Sequence, residues 1–145
     1  MTILNSETHH KDLQMGPDEL DGSLSIHPLN LAVRFLLEVG AMIALGAWGA
    51  TLADGFLSTV MMLVVPSIGA GLWVTFNVPG DRSRSGGAPV PVPGIVRLGV
   101  EAIIFGGAVF ALNAVDRPTW ALIFAVVTVI HYAMSYERIL WLVRR

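Results

Sequence analysis

Residues 56–77 read FLSTVMMLVVPSIGAGLWVTFN, 22 residues without a charged side chain. At 1.5 Å per residue, a helix of roughly 20 residues crosses the ~30 Å hydrocarbon core of a bilayer. The stretch therefore predicts a transmembrane helix. Pro66 near its middle removes a backbone hydrogen bond and predicts a kink, while Gly69, Ala70 and Gly71 let a neighbouring backbone come close. Asp54-Gly55 breaks the chain just before it.

On the N-terminal side, residues 31–53 are apolar apart from Arg34 and Glu38, and Ile26-His27-Pro28 supplies a helix entry with proline in the first turn. On the C-terminal side, residues 78–94 form a linker. Asp81-Arg82-Ser83-Arg84-Ser85-Gly86-Gly87 is flexible and basic, and Pro89, Pro91 and Pro93 favour polyproline II. A third helix is predicted over 95–115, with Arg97 and Glu101 near its start, then a turn at Asp116-Arg117-Pro118 and a fourth helix over 119–143 carrying His131 near its midpoint. The fold class expected is all-α: an integral membrane four-helix up-down bundle with a cytoplasmic linker.

Composition points the same way. Of 145 residues, 54% are hydrophobic and 14% charged, where a soluble domain carries roughly 25% charged residues to keep its surface wet. A net charge of −2 gives no general attraction for nucleic acid, and the lack of cysteine excludes disulfides and thiolate metal sites. Residues 1–29 carry Glu7, Asp12, Asp18, Glu19 and Asp21 against Lys11 and have no apolar run long enough for a signal peptide. They read as a disordered acidic tail, in which His9 and His10 lack a third ligand for a metal.

Orientation follows from the basic residues. Lys11, Arg34, Arg82, Arg84, Arg97, Arg138, Arg144 and Arg145 fall on one side of the expected helices and only Arg117 on the other. The positive-inside rule then puts both termini and the long linker in the cytoplasm. Trp48 and Trp120 near the external ends, with Trp73 and Trp141 near the cytoplasmic ends, read as an aromatic belt.

Arg34-Phe-Leu-Leu-Glu38 and Arg97-Leu-Gly-Val-Glu101 repeat R-x-x-x-E at an offset of 63 residues. The offset also lays the first short turn on the second, so the chain reads as two related helical hairpins about a pseudo-two-fold axis along the membrane normal. Within each helix, arginine before glutamate is the weaker order and sets a cation at the positive end of the dipole. Helix stability therefore does not explain the motif. Each arginine can reach the headgroups, but the glutamates lie a turn deeper, Glu38 about 12 Å beyond Asn30, where a lone carboxylate is costly. The symmetry pairs Arg34 with Glu101 and Arg97 with Glu38 in a neutral cluster. One reading is a lock that holds the hairpins in register; the other is a proton- or substrate-coupled carboxylate site.

His131 is the one histidine within a span. It either relays protons or sits neutral, hydrogen-bonded to Thr128, Tyr132 or a carbonyl freed near Pro66. Haem ligation would need a second buried histidine. Tyr136, Glu137 and Arg138 fall close to the charge cluster; Glu137 is a candidate to join it, and an interfacial anchor is the plainer description of the trio. Arg82 and Arg84 are too few for a basic lipid-binding cluster. Gly40, Ala44, Gly107 and Ala111 fit small-xxx-small helix packing. Phosphate-loop, dinucleotide, zinc-protease and nucleophile-elbow motifs are all missing, so no catalytic residue, metal or cofactor is expected.

With Asn30-Leu31, Arg34-Phe35 and Glu38 in the first helix, Pro66 and Trp73-x-x-Phe76-x-x-Pro79 around the second, and Arg97-x-x-x-Glu101 in the third, residues 29–142 resemble the small bacterial YrdB-like membrane proteins. That resemblance implies a compact four-helix bacterial membrane protein of unknown function, and hence a plasma-membrane location, and supplies no substrate. The function expected is a non-enzymatic accessory or scaffold subunit whose partners are the lipid bilayer and a membrane protein or further copies of itself. The alternative is a small proton-coupled transporter or ligand-binding protein using Glu38, Glu101 and His131. A transporter needs carboxylates facing a wet cavity; a scaffold needs them dry and paired.

Overall fold

A computed structural model describes residues 28–81 and 88–145. The described chain is mostly helical: α1 (Pro28–Gly49), α2 (Phe56–Thr75), α3 (Gly94–Ala114), α4 (Pro118–Met134) and α5 (Tyr136–Val143). Helices α1, α2 and α3 are each long and apolar enough to cross a membrane, and α4 with α5 adds a fourth if the bent pair is one span. The acidic tail expected over 1–29, with its histidines, lies outside the described residues except at its last two positions, which open α1. Arg82 and Arg84 lie outside them too.

The first helix, expected to run to residue 53, ends at Gly49, and two further expected boundaries change. The second helix stops at Thr75 because Phe76–Asn77 (β1) turns extended and pairs in parallel with Val90–Pro91 (β2). The fourth helix, expected unbroken over 119–143, divides at Ser135, where α5 bends 71° away from α4. Its short, strongly amphipathic sequence, YERILWLV, has one face to bury against charged partners that α4, apolar all round, does not share.

Helix packing is set by small residues. Ala41, Ala44, Ala108 and Ala111 are buried and bring α1 and α3 side by side, with Leu37, Leu45, Ile104 and Phe105 filling the seam. The two helices run in the same sense, since Arg34 meets Glu101 and Trp48 meets Phe110. Helix α2 returns along α1, and a side chain at Gly49 would run into the Met61 carbonyl, so only glycine allows this approach. Helix α4 returns along α3, with Phe124 and Tyr132 on Phe105. A third of the central windows of α1 and α3 is buried but only 6% of that of α2, which makes α1 and α3 the centre and α2 a flank. Outward faces are apolar, as at Phe56, Ile103 and Val129. Soluble proteins rarely expose large contiguous apolar patches.

Candidate functional site

Where α1, α3 and α5 converge, the seam turns from apolar to charged. Glu101, two turns inside α3, is 1% exposed, and its carboxylate is saturated. Oε1 accepts from Arg34 Nη2 at 2.9 Å, Arg97 Nε at 3.2 Å and Arg138 Nη2 at 2.8 Å. Oε2 accepts from the Tyr132 hydroxyl at 2.5 Å and from Arg138 Nη1 at 3.2 Å. Arg138 thus clamps the carboxylate with both arms of its guanidinium, the geometry in which arginine binds carboxylates best.

Each arginine has a second anchor. Arg34 Nε donates to Glu38 at 3.1 Å, and Arg138 Nη2 donates to Asp81 at 2.8 Å. Arg97 Nη1 donates to the Trp73 and Phe76 carbonyls, each at 2.7 Å. These oxygens belong to the end of α2, where a helix leaves its last carbonyls unpaired and carries partial negative charge. The early stop of α2 therefore creates the site that Arg97 fills. The Trp73 indole lies 4.6 Å beneath the Arg97 guanidinium and 5.7 Å from that of Arg34, distances at which the ring face attracts a cation. Three arginines face Glu101, Glu38 and Asp81, and the hub is neutral as a whole.

One of the two pairings expected from the repeat is present and one is not. Arg34 meets Glu101, but Glu38 pairs with Arg34, because Arg97 is taken up by Glu101 and the end of α2. Glu137 does not join the hub: it is exposed, its hydrogen bond coming from the neighbouring Tyr136 hydroxyl at 3.4 Å. Asp81 takes the place expected of it. Trp73 is not an interfacial tryptophan either, being buried at 7% exposure under the arginines. Sequence reasoning missed Asp81, Trp73 and the bond from Tyr132 to Glu101. For Tyr132 a signal existed: it lies one helical turn from both Thr128 and Tyr136, on a helix returning past Glu101.

His131 is buried and packs edge-on against Tyr132, ring centroids 5.9 Å apart. Its three expected partners are engaged elsewhere or remote. Thr128 donates to the Phe124 carbonyl of its own helix, Tyr132 donates to Glu101, and Pro66 lies on the far flank in α2. The imidazole Nδ1 has no hydrogen-bond partner among the described residues. Close by, the Asn30 amide donates to the Ser135 hydroxyl at 3.0 Å and ties α1 to the α4–α5 bend. Among the described residues, no group of histidines and carboxylates is arranged to hold a metal ion.

An open groove of about 400 Å³ runs between α3 and α4, lined by Leu98, Ala102, Phe105, Gly106, Thr128 and Tyr132 among others. Neither Glu38 nor Glu101 lines it.

A few apolar helices of membrane-crossing length around a buried arginine–carboxylate hub define a class of small helical proteins. Residues 32–129 match the family described as "Protein of unknown function (DUF2568)", and the chain belongs to that family. Over 120 residues, 83% of this chain and 98% of its relative, it is 37% identical to the protein of Bacillus subtilis (strain 168) described as "Uncharacterized protein YrdB". The YrdB-like resemblance read from the motifs is therefore correct. No solved structure matches the chain. Arg34, Glu38, Asp81, Arg97 and Glu101 fall within the matched stretch, and Tyr132 and Arg138 just beyond it.

Proposed function

We propose that the protein is a multi-pass plasma-membrane protein, four spans in up-down order built as two related hairpins, with both termini and the 78–94 linker in the cytoplasm. It has no enzymatic activity of its own and acts as an accessory or scaffold subunit, on a membrane-protein partner or on further copies of itself. The observation that carries this reading is the state of Glu101: 1% exposed, with both oxygens filled by three arginines and a tyrosine. A carboxylate that binds and releases a proton or solute needs a free lone pair and a path to water. A carboxylate that locks helices together needs neither, and a buried network with every member paired specifies one packing.

A second reading has its own observation. Glu38 keeps a third of its side chain exposed, and His131, on α4, leaves Nδ1 unpartnered, so a proton-coupled transporter would run through these two and bypass Glu101. Proteoliposomes loaded with a pH-sensitive dye and given an imposed pH gradient separate the readings. The scaffold reading expects dye traces that match protein-free vesicles. A proton leak that Glu38→Gln or His131→Ala abolishes would replace it with the transport reading.

A further inference from the structure

The last helix is turned and then pinned. Helix α5 leaves α4 at 71°, and three contacts hold it. Leu142 is fully buried. Its backbone lies against Gly94, where any side chain would collide with the Leu142 carbonyl. Arg138 is bound by Glu101 and Asp81. At 100° per residue, Arg138 and Leu142 share one side of the helix. On the opposite side Tyr136, Leu140 and Val143, spaced i, i+4, i+7, form a stripe left 57%, 50% and 57% exposed.

We propose that this stripe is a membrane-surface contact, with α5 lying in the headgroup layer and Tyr136, Leu140 and Val143 resting on the acyl-chain boundary of an anionic bilayer. This rests on the membrane reading above. Three observations select lipid over a protein occupant. With α4 crossing on its own 17 residues, the short end of the spanning range, a helix bent 71° from it runs close to the bilayer plane. The stripe continues the apolar outer face of α4, where Ile130 and Met134 are 53% and 71% exposed. Arg144 and Arg145 follow at its end, both exposed, with the Arg145 guanidinium 5.3 Å over the Trp141 ring. Apolar side chains on one face, basic residues at the edge and aromatic rings at headgroup level are the pattern of an interfacial helix. Glu137, also exposed, is the one acidic side chain of α5 and opposes this attraction. Because Arg138 leaves the same helix for Glu101, lipid on one face and the hub on the other fix the position of α5 together.

The full chain has no cysteine, so single cysteines carrying an environment-sensitive fluorophore can be read one at a time, in nanodiscs of phosphatidylcholine alone or mixed with phosphatidylglycerol. Leu140→Cys and Val143→Cys labels are expected to emit at shorter wavelength and to resist the neutral quencher acrylamide, while a Glu137→Cys label is quenched severalfold more. Adding phosphatidylglycerol deepens the protection, and Arg144→Gln with Arg145→Gln removes that gain, each arginine accounting for about a fivefold bias. An Ile130→Cys label tests the membrane reading separately. If position 130 is quenched like water-exposed dye, the membrane reading fails and takes this proposal with it. If position 130 is protected while 137 and 140 are quenched alike, the proposal alone is overturned. It is also overturned if the protected label at position 140 is not dimmed by phospholipid carrying a quencher on its acyl chain, since protein then covers the stripe.

Discussion

The molecule contains the same turn of helix twice in two environments. In α1, Arg34 and Glu38 pair at 3.1 Å with the glutamate side chain a third exposed; in α3, Arg97 and Glu101 pair at 3.2 Å with both side chains essentially sealed from solvent. The local chemistry is nearly identical, yet Glu101 gathers three arginines and a tyrosine while Glu38 holds one arginine. The difference comes from what packs over each turn. The α3 turn is covered by the end of α2, the Trp73 ring and Arg138 from α5; Glu38, a turn deeper in α1 than Arg34, pairs with no second cation among the described residues. A motif of five residues thus sets a pair, and the tertiary structure decides whether that pair becomes a hub.

The comparison breaks most sharply at Glu101. Glu101→Gln keeps the shape of the side chain but leaves Arg34, Arg97 and Arg138 around a neutral amide in a buried site. Removing one partner of a buried charge network costs about 3–5 kcal/mol, because the remaining charges stay desolvated and unpaired. Thermal unfolding of the purified protein in detergent, followed by tryptophan fluorescence, should show the largest loss of stability of any single substitution in the hub. A loss below about 1 kcal/mol, the size of an exposed pair, would show that Glu101 is no better buried than Glu38 and that the hub is not a lock.

Gly94→Ala strikes the hub without touching a charge. The added methyl meets the Leu142 carbonyl at a separation no packed structure sustains, so α5 must lift and carry Arg138 with it. Overpacking of this kind costs about 1–3 kcal/mol. The loss should shrink in a background where Arg138→Met has already emptied that position, since contacting residues couple and distant ones add. Equal losses in both backgrounds would mean that α5 docks independently of the hub. Arg34 shares Glu101 Oε1 with Arg138, so withdrawing Arg138 should draw Arg34 further toward Glu101 and weaken the Arg34–Glu38 coupling measured by double-mutant cycle.

Much of this arrangement is legible in the sequence, in proportion to how local its causes are. The first three helices are written in apolar runs of the right length, unbroken in the second and interrupted in the first and third only by an arginine and a glutamate, and their described bounds fall within two or three residues of the expected ones except at the end of α1, where the helix stops at Gly49. The 63-residue offset predicts the meeting of Arg34 with Glu101, but equally one of Arg97 with Glu38, where the structure gives Glu38 to Arg34 instead. The bend at Ser135 does not, because hydrophobicity continues across it and the cause is a docking surface on α3 that a linear reading cannot see. Trp73 misled for a related reason: a tryptophan near the end of an apolar run fits an interfacial belt, and only the early stop of α2 turns the ring beneath two guanidinium groups. Asp81 is the same case in the linker, an acid beside two arginines in sequence that is bound by a third from the end of the chain.

Glu38→Gln is the smallest effect and the one that sharpens the comparison. The pair with Arg34 is i, i+4 within one helix, in the less favourable order, and partly exposed. An exposed pair of this kind contributes about 0.2–1 kcal/mol. Arg34 also keeps its bond to Glu101 when Glu38 is neutral. Stability of the purified protein should therefore fall by well under 1 kcal/mol, and Arg34→Met should cost more than Glu38→Gln because it takes a cation from the buried carboxylate as well. If the two cost the same, Arg34 belongs to the α1 turn and not to the hub, and α1 and α3 are held together by their alanines alone. If Glu38→Gln is silent in stability yet changes proton flux in vesicles, the two turns divide the work: the sealed one holds the helices together and the open one carries the proton.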